Sequence, residues 1–260
     1  MSTLVLASAS GAPGVTTTAL GLTLTWPRDA VLVDADRSAS HAILAGYLSG
    51  QSTHGEGLQG LIQGHRERRP LAEALASEWR ALPDLPRKPD EQPPGERRFV
   101  PGFTHLGSVD LFEGVWPGVA EVARSAPFDL IVDAGRTGHR GLPATLVAGA
   151  DAIALVCRTS LVSLAALRLH LAPLVEAGAP GRVGLLVVGP GRPYGVKEVA
   201  EQFGVPVLAE VAWDASAAAE LGEGAPVGRR WARTSLAQSL ARAASRLSAS
   251  MHAGALVEAP

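Results

Sequence analysis

A short apolar run, Thr3 to Ala7, passes directly into the stretch SASGAPGVTTTAL, Ser8 to Leu20, and this junction limits the chain to few folds. A buried strand that turns through glycines straight into a helix leaves the helix N-terminus and a row of backbone N–H groups at the carboxyl end of the strand. Such a loop encloses phosphates when a Lys reaches the β and γ oxygens and a Ser or Thr hydroxyl holds Mg²⁺. Gly11, Gly14, Thr16 and Thr17 supply the glycines and the hydroxyls. Val15 stands where the Lys belongs, so the loop has the shape of a phosphate cradle without its cation.

The rest of the chain repeats the same alternation. Helical spacing over Thr16 to Thr25 stops before Pro27, and Ala30 to Val33 is a buried strand ending in Asp34-Ala35-Asp36. Helical patterning follows in Ser40 to Leu61, interrupted by a Gly-rich run, and again in Leu71 to Leu82. The proline-rich stretch Pro83 to Pro94 reads as an exposed loop. Arg98 to Pro101 is a short strand, Val109 to Ser125 a helix that Pro117 kinks or splits, and Phe128 to Val132 a strand closed by Asp133. Further strands are predicted at Ala152 to Cys157, Val183 to Val188 and Val205 to Val211. Helices are predicted at Leu161 to Val175, Val196 to Phe203 and Trp231 to Leu247. Strands separated by helices throughout predict a three-layer, doubly wound, mostly parallel α/β sheet whose ligands sit at the carboxyl ends of the strands.

With 260 residues, 47% of them hydrophobic, the chain can bury one large core. A single domain over 1–250 is expected, with a variable Pro-rich insertion at about 50–97 and a flexible tail at 251–260. A net charge of −2 argues against a chain that coats nucleic acid over its whole surface. One cysteine, Cys157, excludes an intrachain disulfide and any cysteine-built metal site within one chain. No apolar run reaches the roughly 18 residues of a membrane span and no leader pattern opens the chain, so a cytoplasmic location is expected.

Three features converge at the strand ends: the glycine loop, Asp34 with Asp36, and Asp133. An acid closing a buried strand is what a nucleotide-bound Mg²⁺ requires; the alternative for each acid alone is a turn or helix cap. In the segment between Gly224 and Val257, which lacks acids, Arg229, Arg230, Arg233, Arg242 and Arg246 form either a phosphate-backbone contact or a solvated face.

SASGAPGVTTTAL, VLVDADRSAS, FDLIVDAGRTG and ADAIALVCRTSLVSLAALRLHL, in that order and spacing, resemble the MinD/ParA family of P-loop ATPases, and within it the TadZ/CpaE-like pilus-assembly and localisation proteins. The resemblance implies the P-loop NTPase fold. It implies nucleotide contacts from Gly11, Ala12, Pro13, Gly14, Val15, Thr16 and Thr17, Mg²⁺ held by Thr16, Asp34 and Asp133, and Asp36 positioning the attacking water. It also places Asp214 in the loop flanking the base, and implies a homodimer, nonspecific DNA contacts from the five arginines, and recruitment to a pole, a membrane face or the nucleoid by a partner.

Two lysines of the family's loop are replaced, by Ser10 and Val15, and the Asn that reads the adenine edge is missing near Gly189 and Pro190. Transition-state charge suffers more than ground-state charge from such losses. The expectation is therefore a degenerate ATPase-like protein, binding ATP or ADP with Mg²⁺ weakly or not at all, that positions a partner assembly. The alternative is a working partition ATPase in which Arg37, Arg136 or Arg140 replaces the missing lysine.

Overall fold

The computed structural model describes residues 2–9, 14–50, 56–86, 95–177, 181–224 and 226–254. Its centre is an eight-stranded sheet of β1 (Thr3–Ser8), β2 (Ala30–Asp34), β3 (Arg80–Ala81), β4 (Arg97–Val100), β5 (Asp129–Arg136), β6 (Ala152–Arg158), β7 (Val183–Val188) and β8 (Val207–Val211). The strand order is β3-β4-β2-β5-β1-β6-β7-β8, and every pairing is parallel except β3 with β4. Strands covered on both faces must be apolar throughout, which is why they stand out in the sequence as continuous runs such as VGLLVV.

Two helical layers cover the sheet. On one face lie α1 (Val15–Thr25), α2 (Ala42–Ala45), α9 (Ala215–Gly222) and α10 (Ser235–His252), with Leu20, Leu22, Leu240 and Leu247 in their core. On the other lie α3 (Leu58–Arg66), α4 (Leu71–Glu78), α5 (Trp116–Ser125), α6 (Ala144–Gly149), α7 (Leu161–Ala177) and α8 (Val196–Phe203). Leu61, Leu75, Trp116 and Leu167 fill that second core. Within the expected insertion, α3 and α4 therefore contribute Leu58, Leu61, Ile62 and Leu75 to the main core.

Several boundaries differ from the sequence reading. The helix expected over Leu71 to Leu82 ends at Glu78, because Trp79 turns extended to meet Phe128 edge-on at 5.6 Å with the Arg98 guanidinium 4.4 Å above its ring. The next two residues become β3. Val109 to Ser125 is split, with a 3-10 turn at Asp110–Gly114 and Pro117 in the first turn of α5, where its missing N–H costs nothing. The last helix likewise begins as a 3-10 turn, Trp231–Arg233, and α10 continues through His252 with Met251 buried.

At the amino end of the sheet, Asp129 is 1% exposed and gathers several segments. It accepts hydrogen bonds from the Ser2 N–H (3.0 Å) and the Trp26 indole (2.9 Å), and His252 and Arg28 lie 3.3 and 3.7 Å from its oxygens. Arg97, also buried, donates to the carbonyls of Thr23 and Trp26 and so satisfies the end of α1. These contacts fix α1 from below and set where its N-terminus meets the carboxyl ends of β1, β2 and β5.

Candidate functional site

The site starts where β1 ends. Gly14 caps α1 with φ +94°, a left-handed conformation that glycine adopts without strain, and its carbonyl accepts the Thr18 N–H at 2.9 Å. The first turn of α1 carries no acid and no side-chain cap, leaving its N–H groups available to an anion. Val15 is 6% exposed and belongs to the α1-side core, so its side chain is committed to packing. Thr16 and Thr17 are half-buried at the same end. Gly11, Ala12 and Pro13 lie outside the described residues.

Asp34 and Asp133 are neighbours in register across β2 and β5 and are 3% and 0% exposed. Burial pushes the Asp34 carboxyl up to about 7, and the Asp133 charge pushes the same way against the Asp36 N–H, which donates to Asp34 Oδ1 at 3.2 Å. Burial also raises Asp133, to about 6, opposed by the Thr16 hydroxyl and the Gly135 N–H. Gly135 donates to Asp133 Oδ1 at 3.0 Å, yet Oδ2 is buried with no hydrogen-bond partner among the described residues. The Thr16 hydroxyl thus lies near enough to favour the ionised form while leaving one oxygen unsatisfied. Two buried carboxylates side by side, one with an orphaned oxygen, call for positive charge.

Asp36 completes the group at the start of the next loop. Its Oδ1 accepts the Ser38 N–H at 2.9 Å and lies against Gly135, where an added Cβ would fall 2.2 Å from that oxygen. Among the described residues no group of three or more His, Cys, Asp and Glu side chains is suited to a metal ion. A divalent cation here would take oxygens from Asp34, Asp133, the Thr16 hydroxyl and a ligand's phosphates, which is the mixed donor set Mg²⁺ accepts.

The structure brings together Gly14, Thr16, Asp34, Asp36 and Asp133, and separates the arginines. Arg37 reaches across to the next loop and donates to the carbonyls of Thr137 and Gly141, both at 2.5 Å. Arg140 pairs with Asp110 at 3.3 Å at the surface. Arg136 is exposed at the end of β5, paired in register with Ser8 of β1. Asp214 caps α9, accepting the Ala217 N–H at 3.1 Å and the Ser235 hydroxyl at 3.3 Å. Arg229, Arg230, Arg233, Arg242 and Arg246 are all exposed.

One group at the carboxyl edge escaped the sequence reading. Trp213, 37% exposed after β8, has the Arg158 guanidinium 4.1 Å from its ring centroid and that of Arg192 at 6.0 Å. Gly189 has φ +69°, and a Cβ added there would stand 3.0 Å from the Trp213 Cβ, so glycine at this turn lets Trp213 approach the end of β7. The only signal in the sequence was an aromatic at a strand end, in VAWDAS.

Comparison of the whole structure with solved ones gives consistent neighbours. A ParA family ATPase from Chlorobium tepidum TLS superposes with a TM-score of 0.72 at 14% identity, over 94% of this chain and 98% of that one. The cell division protein MinD of Aquifex aeolicus gives 0.69 at 17% identity, over 96% and 98%. MinD of Pyrococcus horikoshii OT3, complexed with Mg-ADP, gives 0.68 at 16%, over 98% and 99%. No protein-family model matches the chain, and no curated protein sequence does. The chain has the three-layer P-loop fold of MinD- and ParA-type ATPases, over essentially its full length.

Proposed function

We propose that this chain, built on the MinD/ParA-type fold, is a nucleotide-binding positioning protein with weak or absent hydrolysis, acting as a homodimer that localises or organises a partner assembly. A TadZ-like pilus or secretion system is the most specific version of this reading. The observation that carries it is the pair of buried acids, Asp34 and Asp133, with an unsatisfied oxygen at the end of α1, beside a loop whose lysine position is a core valine. The acids fit Mg²⁺ together with Thr16, and Mg²⁺ would supply the charge that neutralises both carboxylates and a nucleotide's phosphates. Asp36 stands beside them to position a water.

Binding survives the loss of lysine better than catalysis, because ground-state phosphate is partly compensated by Mg²⁺ and by helix N–H groups while the charge developing in transfer is not. A titration with ATP and ADP, with and without Mg²⁺, run beside a hydrolysis assay, tests this. Mg²⁺-dependent binding with little turnover is expected. Turnover at the rates of working members of this fold, abolished by Asp36→Ala, would overturn it in favour of an active partition ATPase. That the similar solved structures include a cell division protein and a ParA family ATPase supports the positioning class. The five exposed arginines from Arg229 to Arg246 add nonspecific DNA as a second ligand, to be checked by salt-dependent binding to duplex DNA.

A further inference from the structure

The register of β1 against β5 contains an irregularity at the site. Leu6 pairs with Asp133 but Ser8 pairs with Arg136, so two steps along β1 correspond to three along β5. The extra residue is taken up around Gly135, whose φ is +60°. Bulges next to functional sites re-aim the side chain that follows them. Here the consequence can be read from the two cores. Leu6 belongs to the α1-side core, and Ser8, two residues on, keeps that face. Val132 and Ala134 belong to the opposite core, so Asp133 shares the face of α1, next to Thr16. Without the bulge, strict alternation would carry residue 136 to the opposite face. With it, Arg136 takes the register position of Ser8 at the carboxyl end of β1, on the face of α1.

We propose that Arg136 is the phosphate-facing cation of this site, set on the face of α1 by the Gly135 bulge and standing in for the lysine that Val15 displaces. The inference rests on the nucleotide-binding reading above. Three observations lead to it besides the register. Of the arginines near the acids, Arg37 is bound to two carbonyls and Arg140 to Asp110. Arg136 is exposed and makes no hydrogen bond or ion pair with another described residue. Asp34 and Asp133, paired in register and buried on the same face, gather two carboxyl groups at that end of the site. A guanidinium suits the task because its planar fork meets two phosphate oxygens at once and stays charged at any physiological pH.

The test is calorimetric titration of the full chain with Mg-ADP and with Mg²⁺ plus a non-hydrolysable ATP analogue, alongside thermal melts. Arg136→Ala should weaken binding by about 10- to 100-fold, the range of one charge-assisted contact, and should flatten its salt dependence. Arg136→Lys should recover part of the affinity. Melting temperatures of the Arg136 variants should match the wild type, because the exposed Arg136 side chain has no partner among the described residues. If the wild type binds and Arg136→Ala binds equally well, the inference falls while the nucleotide-binding reading stands. Loss of affinity that tracks a lowered melting temperature, with no recovery in Arg136→Lys, also overturns it by assigning Arg136 a structural role. A wild type that binds neither nucleotide overturns both.

Discussion

Replacing Asp34 by Asn should make the ligand-free protein more stable at neutral and alkaline pH. The Asp34 carboxyl rises from 3.8 to about 7 on folding, so the folded state holds its proton where the unfolded state releases it. Stability from that proton is fully present below the unfolded value and is lost as pH rises through the folded one. A shift of about 3 units at about 1.4 kcal/mol each gives an upper bound of about 4 kcal/mol. Part of it is shared with Asp133, whose charge contributes to the shift, so about 2 to 4 kcal/mol is expected above pH 8. For a chain of this size that is roughly 5 to 15 °C in melting temperature. Asn keeps the oxygen that accepts the Asp36 N–H, and its amide can donate toward Asp133. Melts of both proteins without Mg²⁺ or nucleotide, between pH 5 and pH 8, should show the advantage of Asp34→Asn growing with pH. A variant less stable than the wild type at pH 8, or an advantage independent of pH, would refute the account of an acid kept protonated by burial with the Asp133 charge beside it. Saturating Mg-nucleotide should shrink or reverse the difference, because only the wild type offers the second carboxylate.

Other expected outcomes concern separate parts of the framework. Asp129→Ala leaves the buried Trp26 indole and the Ser2 N–H without an acceptor and should cost about 3 to 5 kcal/mol in chemical denaturation, with Asp129→Asn losing less. Gly135→Ala combines a positive φ with a Cβ 2.2 Å from Asp36 Oδ1. It should destabilise by about 1 to 3 kcal/mol and weaken Mg-nucleotide binding as Asp36 and Arg136 shift. Arg37→Ala removes the two bonds to Thr137 and Gly141, and amide exchange of residues 137–141 should quicken while the sheet core stays protected.

Most of the sheet and the acids at its edge were legible in the sequence for one reason. Strands buried on both faces write themselves as uninterrupted apolar runs, and an acid that ends such a run is conspicuous, as in VLVD and LIVD. What stayed hidden depends on pairs of segments. β3 is two residues long and exists through its pairing with β4, while Trp79 abandons helix for contacts with Phe128 and Arg98. α9, ASAAAELG, has too little apolar contrast to show a face, and α6 is only six residues. The bulge that governs Arg136 is a mismatch between two strands and has no signature in either one. Arg37, a candidate cation by sequence, turned out to tie two loops together, and Asp214 is engaged as a helix cap.

The Trp213 group also has an optical consequence. Of the five tryptophans, Trp26, Trp116 and Trp231 are buried and Trp79 is covered by Arg98, whereas Trp213 stands 37% exposed at the carboxyl edge of the sheet. A collisional quencher in solution therefore reaches chiefly this indole. Its emission is set by a guanidinium resting 4.1 Å from the ring, so any occupant of the strand ends that draws Arg158 or Arg192 aside changes the signal. Trp213 is thus a label-free probe of the β7–β8 end of the sheet, and Trp213→Phe is its blank.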